Sequence, residues 1–262
     1  MIKLHNKLFS WLSTYIKYSF HVAASATALL WVTHRDFNQP IGFWSSIWFF
    51  TVVVFGYNFL KQNTASIERL RWFAAFAVPL VLFLWLLLIT KDSRPLLIAF
   101  VSFLLVLFYH KNRFQPWVAF RIYPWIKIVV IAFVWTCLSL IFIAPQKAFF
   151  EIYALERFMW IVVWLIPFEL RDVYLEKAHR TNQPILDVGV LKVLGIGLII
   201  GILLINYSVP SLHRNQDVFG FILFLLVLGI FFSNSSRSAW YSLFWLEAIP
   251  ILWCLLYVLM RM

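Results

Sequence analysis

The sequence predicts an all-α integral membrane protein of about nine transmembrane helices, folded as a single domain over residues 1–262. Three observations predict it. Hydrophobic residues make up 63% of the chain and charged residues only 13%, where ordinary globular chains carry about 25% charged residues. Mean hydropathy is +0.85, more apolar sequence than one core can hide. Finally, the apolar residues fall into runs of spanning length joined by short connections. The 14 Trp and 28 Phe crowd many of the run ends, where aromatic rings suit the membrane–water boundary.

The first run covers residues 15–33. Lys3 and Lys7 precede it and it contains Ala-Ser-Ala, which imitates a signal peptide. Lys17 and His21 interrupt the would-be apolar region, however, and the run continues to Val32. It reads as a retained first helix. The next runs cover 41–60, 72–90, 95–110 and 126–144, then 155–170, 190–208, 217–232 and 239–260. A crossing helix needs about 20 residues, with a range of about 17 to 25, so the fourth, sixth and eighth runs are short. No stretch alternates polar and apolar residues as a membrane barrel strand would. No Gly/Ser-rich linker or internal repeat divides the chain.

Basic residues then orient the helices. With the N-terminus cytoplasmic and the chain alternating sides, 15 of the 22 Lys and Arg fall on the cytoplasmic side and seven on the other. That bias is the one expected of cytoplasmic loops, and it puts the C-terminus opposite the N-terminus. The net charge of +11 follows from this bias. It implies no nucleic-acid partner, and favours anionic membrane lipids or a phosphorylated substrate at the cytoplasmic face.

Chemistry is expected where polar residues intrude on the spans, because they are costly there. The sixth span ends in Pro167-Phe168-Glu169-Leu170-Arg171-Asp172-Val173-Tyr174-Leu175-Glu176. Glu169, Asp172 and Glu176 stand at i, i+3 and i+7, on one face of a helix. Magnesium takes one or two carboxylates together with substrate phosphates and water, so the three acids suit a metal–phosphate site. They equally suit a solvated helix end neutralised by Arg171, Lys177 and Arg180.

Glu169-x-x-Asp172-x-x-x-Glu176, followed by Lys177-Ala178-His179-Arg180-Thr181 and Pro184, resembles the second acidic motif of the UbiA-type intramembrane prenyltransferases. That motif is Asp-x-x-Asp-x-x-x-Asp followed by basic residues and Thr-x-Pro. Here two Asp are Glu, and the Thr-to-Pro spacing is one residue longer. The family has nine helices, with acidic motifs on cytoplasmic loops after the second and sixth spans; Arg121-Ile122-Tyr123-Pro124 and Lys127 agree with it more weakly. The resemblance implies a UbiA-like bundle that handles an isoprenyl diphosphate or other polyisoprenoid and a lipid or aromatic acceptor. Mg2+ would be held by Glu169, Asp172 and Glu176, with Asp172 also catalytic.

The departure is in the first motif. After the second span the family carries Asn-Asp-x-x-Asp, whereas this chain has Tyr57-Asn58-Phe59-Leu60-Lys61-Gln62-Asn63 and no acid until Glu68. Asn58 stands for the Asn, and Lys61, Arg69 and Arg71 take the place of the acids. Lys and Arg clamp phosphoryl charge directly, which makes Asn58, Lys61, Arg121, Lys127, Lys17 and His21 the candidate substrate-binding set. Two readings follow: a prenyltransferase with one acidic motif, or a non-catalytic relative that binds an isoprenoid or lipid phosphate or serves as a subunit.

Other polar residues in the spans are read separately. Lys17 and His21 are i, i+4 neighbours, and Glu247 in the last span is expected to pair with one of them at matching depth. Gly195, Gly197 and Gly201 would permit close helix contact. Cys137 and Cys254 read as small buried hydrophobes. His34, His110, His179 and His213 show no zinc-ligand spacing.

Overall fold

The computed structural model describes residues 15, 18–61, 94, 97–98, 100–102, 105, 124–143, 149–179, 187–233 and 241–260, with the side chains of 55, 57–61, 124, 175–179 and 242–243 outside the description. Every regular element among the described residues is a helix. They are α1 (Phe20–Asp36), α2 (Phe43–Lys61), α3 (Pro124–Ser139), α4 (Phe150–His179), α5 (Val188–Ser208), α6 (Gln216–Phe232) and α7 (Ile249–Leu259). A 3-10 turn, Pro210–Leu212, links α5 to α6, and a π-helical turn, Tyr241–Leu246, precedes α7. The expected run 72–90 lies outside the described residues, and the run 95–110 is described only at a few positions.

The helices close on themselves. α1 packs on α2, α3 and α7; α4 packs on α3, α5, α6 and the π-helical turn; α6 packs on α5 and α7. The first and last described helices are therefore neighbours. α4 is anchored in the core, with Trp160, Ile161, Val163, Ile166 and Leu170 fully buried. Trp160 meets Trp253 of α7 with ring centroids 5.1 Å apart, and Trp164 meets Trp135 of α3 edge-on at 5.5 Å. Such aromatic pairs add roughly 0.5–1.5 kcal/mol beyond burial.

α5 shows how sequence sets facing. Leu191, Gly195, Ile199, Ile202 and Asn206 are buried at helical spacing. The opposite side carries Val193, Ile200, Leu203 and Leu204, each at least half exposed. A helix in water would be polar there. Asp187 starts α5 by accepting the backbone N–H groups of Gly189 (2.6 Å) and Val190 (3.2 Å), an N-cap arrangement. Among the described residues, α5 is the one helix both long and apolar enough to cross a membrane; the remaining apolar helices are shorter.

Two of the three small residues expected to allow close contact on α5 do so. A Cβ on Gly195 would come 2.8 Å from Ile230 and 3.1 Å from Ile166, and one on Gly201 would meet Met159. Gly197 faces open space instead, although it stands one turn from Gly201 on nearly the same face.

Two run boundaries differ from expectation. The sixth run ends at 170 by apolarity, yet α4 continues to His179. Residues 171–179 are mostly good helix formers and contain no Gly or Pro, so loss of apolarity does not end the helix. The last run is not one helix: Glu247 and Ala248 form a turn between the π-helical segment and α7. Pro250 lacks the N–H that would serve the Leu246 carbonyl four residues earlier. That carbonyl instead accepts the Trp164 indole N–H at 2.7 Å.

Candidate functional site

α4 carries charged side chains at two levels. Arg157 and Glu169 are 12 residues apart, about 18 Å along a helix.

At the C-terminal level, the unbroken helix puts residues 169, 172 and 176 on one face, as their spacing requires. Lys127 of α3 reaches two of them, with Nζ 2.5 Å from Glu169 Oε1 and 3.2 Å from Asp172 Oδ2. Arg171 closes on Asp172 Oδ1 at 2.7 Å through Nη2 and 3.0 Å through Nε. Glu169 is buried and Asp172 half-buried. Lys127, Glu169 and Asp172 thus come together, as residues of one site must. The Glu176, Asn58 and Lys61 side chains, and Lys17 and Arg121 entirely, lie outside the described residues.

Carboxylates are the oxygen donors magnesium takes, but Lys127 and Arg171 already engage these two. The four side chains together carry no net charge. Among the described residues no group of three His, Cys, Asp or Glu is arranged to hold a metal ion. The described side chains make a compensated charge cluster, and the third expected magnesium ligand, Glu176, has its side chain outside the described residues.

His21 is placed elsewhere, against the π-helical turn. Its Nε2 donates to the Phe244 carbonyl at 2.9 Å, which leaves Nδ1 to accept from the Tyr15 hydroxyl at 3.3 Å. The ring stacks on Phe244 with centroids 4.9 Å apart. The expected partnership of His21 with the Glu247 carboxylate is therefore replaced by these contacts. The matched depth does hold: Ser25, one turn beyond His21, donates to the Glu247 backbone carbonyl.

At the N-terminal level of α4 lies a larger polar cluster. Asp36 ends α1 with its side chain wholly enclosed. Its Oδ2 accepts from the Tyr153 hydroxyl at 2.7 Å and from His213 Nδ1 at 2.9 Å, and faces Arg157 Nη2 at 3.5 Å. Its Oδ1 accepts from the Tyr257 hydroxyl at 2.8 Å and the Arg214 backbone N–H at 3.1 Å. One carboxylate thereby ties together α1, α4, α7 and the turn before α6.

Arg157 is fully buried. Its Nη2 donates to the Tyr153 hydroxyl, and its guanidinium carbon lies 4.8 Å from the ring centres of both Tyr153 and Trp253. Aromatic faces stabilise a cation in such a place. His213 stacks on Phe219 at 3.9 Å and turns Nε2 toward Glu156 Oε1, 3.5 Å away, a charge contact too long for a good hydrogen bond. Burial alone would lower the pKa of this inter-helix histidine; Asp36 and Glu156 outweigh it and raise it to about 9. With His213 protonated, two anions face two cations.

Several buried polar atoms here have no hydrogen-bond partner within the structure: both Glu156 oxygens, Arg157 Nε and Nη1, and the indole nitrogens of Trp160 and Trp253. Buried polar atoms are rarely left so, and their concentration at one level of α4 marks a polar interior.

Neither family models, curated proteins nor solved structures match the chain. Its chemistry is therefore read from its own side chains. The sequence reading singled out Glu169 and Asp172 by their spacing and Lys127 by the family resemblance, without pairing them, and missed the Asp36 cluster. The local sign was the adjacent Glu156-Arg157 pair, an acid and a base inside an apolar run.

Proposed function

We propose that this chain is a multi-pass membrane protein of UbiA-like architecture that binds an isoprenyl diphosphate, or a related polyisoprenoid phosphate, at the cytoplasmic level of α4. The observation that carries this reading is the convergence of Lys127 with Glu169 and Asp172, residues drawn from the two segments that resemble the family. The adjacency of α1 and α7 supports a closed bundle. The exposed apolar face of α5 supports contact with lipid.

Nine spans, a cytoplasmic N-terminus and an opposite C-terminus complete the reading. Single cysteines at 113 and 147 should label from opposite sides of sealed vesicles. Labelling of both from one side would reject the nine-span arrangement.

Lys127 and Arg171 engage two of the three acids, and the side chain of the third, Glu176, lies outside the described residues, so the enzyme and the non-catalytic relative are told apart by experiment. In the non-catalytic reading Lys127 exchanges its carboxylate partners for the diphosphate, a role the sequence also offers to Lys61 and Arg121. Binding of farnesyl diphosphate to the purified chain should persist in part under chelator. Lys127→Ala should weaken it roughly tenfold, about 1.4 kcal/mol. Magnesium-dependent transfer to an aromatic acceptor, abolished by Asp172→Asn, would establish the enzyme reading instead. Absence of any isoprenoid phosphate binding would defeat both.

A further inference from the structure

A second site lies at the other end of the bundle, where α1 turns toward α2. An open pocket of about 580 Å³ is lined there by Trp31, His34, Arg35, Asn38, Gln39, Pro40, Ile41 and Arg214. Its volume is within the range of small-molecule sites, roughly 300–1,000 Å³. Its composition is lopsided in charge, with two arginines and no acid in the lining. The carboxylate of the same segment, Asp36, is wholly enclosed and committed to Tyr153, His213, Tyr257 and the Arg214 backbone.

His34 also lines the pocket, but it is only 3% exposed and both its ring nitrogens are buried away from the open space, without a hydrogen-bond partner.

The walls are held in register. The Arg214 backbone N–H is fixed to Asp36, and its Nη1 donates to Asn38 Oδ1 at 3.2 Å. Trp31 is set by its indole N–H on Ser46 Oγ, 3.0 Å away. Asn38 turns the chain with φ 51°, a left-handed conformation that asparagine tolerates better than most residues. Guanidinium groups match phosphate oxygens geometrically. Trp31, Pro40 and Ile41 offer an apolar wall on which hydrocarbon can lie. Exposed aromatics stand at this end: Phe43 and Trp44 begin α2, and Tyr207, 86% exposed, is near the end of α5. Such rings favour headgroup depth.

We infer that this pocket binds an anionic phosphate monoester, carried by a lipid or free in solution, between Arg35 and Arg214. The inference does not depend on the isoprenoid reading, because the residues and the end of the bundle are different.

Binding to the full chain in detergent should be measured with dihexanoyl phosphatidic acid, dihexanoyl phosphatidylcholine and inorganic phosphate. The anionic lipid should bind at least tenfold tighter than the zwitterionic one. Competition by inorganic phosphate at comparable concentration would trace recognition to the phosphate alone; competition only at far higher concentration would assign the rest to the lipid body. Both results support the site. Arg35→Gln with Arg214→Gln should remove the preference, Arg35→Lys with Arg214→Lys should keep most of it, and Lys192→Gln on α5 should leave it intact. Equal binding of the two lipids by the native chain would overturn the proposal whether or not the variants fold. So would an undiminished preference in the double glutamine variant.

Discussion

Asp36→Asn is expected to lower the unfolding temperature in detergent by about 10 °C or more. The carboxylate accepts from four donors and faces the Arg157 guanidinium. Asparagine keeps the outline, but it removes the charge opposite Arg157 and His213 and replaces one acceptor by a donor. Breaking a buried ion pair by deleting one partner costs about 3–5 kcal/mol, because the other charge stays buried. For a chain of this size each kcal/mol corresponds to about 2–4 °C. Asp217, exposed in the first turn of α6, provides the control: Asp217→Asn should shift the midpoint by no more than a degree or two. A midpoint for Asp36→Asn within that same margin would mean that the cluster does not hold the four segments together.

The second large effect is pH dependence. His213 has an ordinary pKa of 6.5, and its buried carboxylate neighbours hold it at about 9 in the folded chain. A raised folded-state pKa stabilises the fold fully below the unfolded value, and the contribution is lost as pH rises through the folded value. Stability should therefore decline from about pH 6.5 to about pH 9, by on the order of 3 kcal/mol. Other groups titrate near the upper limit, so the informative quantity is the difference between the native chain and His213→Gln. That variant should be less stable at pH 6 and nearly as stable as the native chain at pH 9.5. A difference that stays constant with pH, or widens toward alkaline pH, would show that His213 is not charged in its pocket.

Among the described residues much of the helical layout is legible in the sequence, because the helices largely coincide with apolar runs. Their exact ends are not, since composition and helicity are separate properties: α4 passes through Arg171 and Asp172 without interruption, and the final run breaks where Pro250 withholds an N–H. Glu169 and Asp172 are legible because they sit three residues apart on one helix; their pairing with Lys127, more than forty residues earlier, is not. The Asp36 cluster is not. Its members come from α1, α4, the turn before α6, and α7, with Asp36 and Tyr257 separated by 221 residues. Each member alone resembles an ordinary polar residue near a span end. Only packing reveals that they share one interior.

The interrupted last segment bears on how the chain is assembled. Its bend leaves the carbonyls of Leu246 and Glu247 to be met by side chains from elsewhere, Trp164 of α4 and Ser25 of α1, while His21 of α1 adds a bond to Phe244. An unsatisfied backbone group in hydrocarbon costs several kcal/mol. In the membrane reading proposed above, this segment would be a poor passenger if delivered alone into a bilayer. Delivered last, after α1 and α4, it meets donors already waiting, so the order of synthesis from N- to C-terminus matches the order in which these bonds can form.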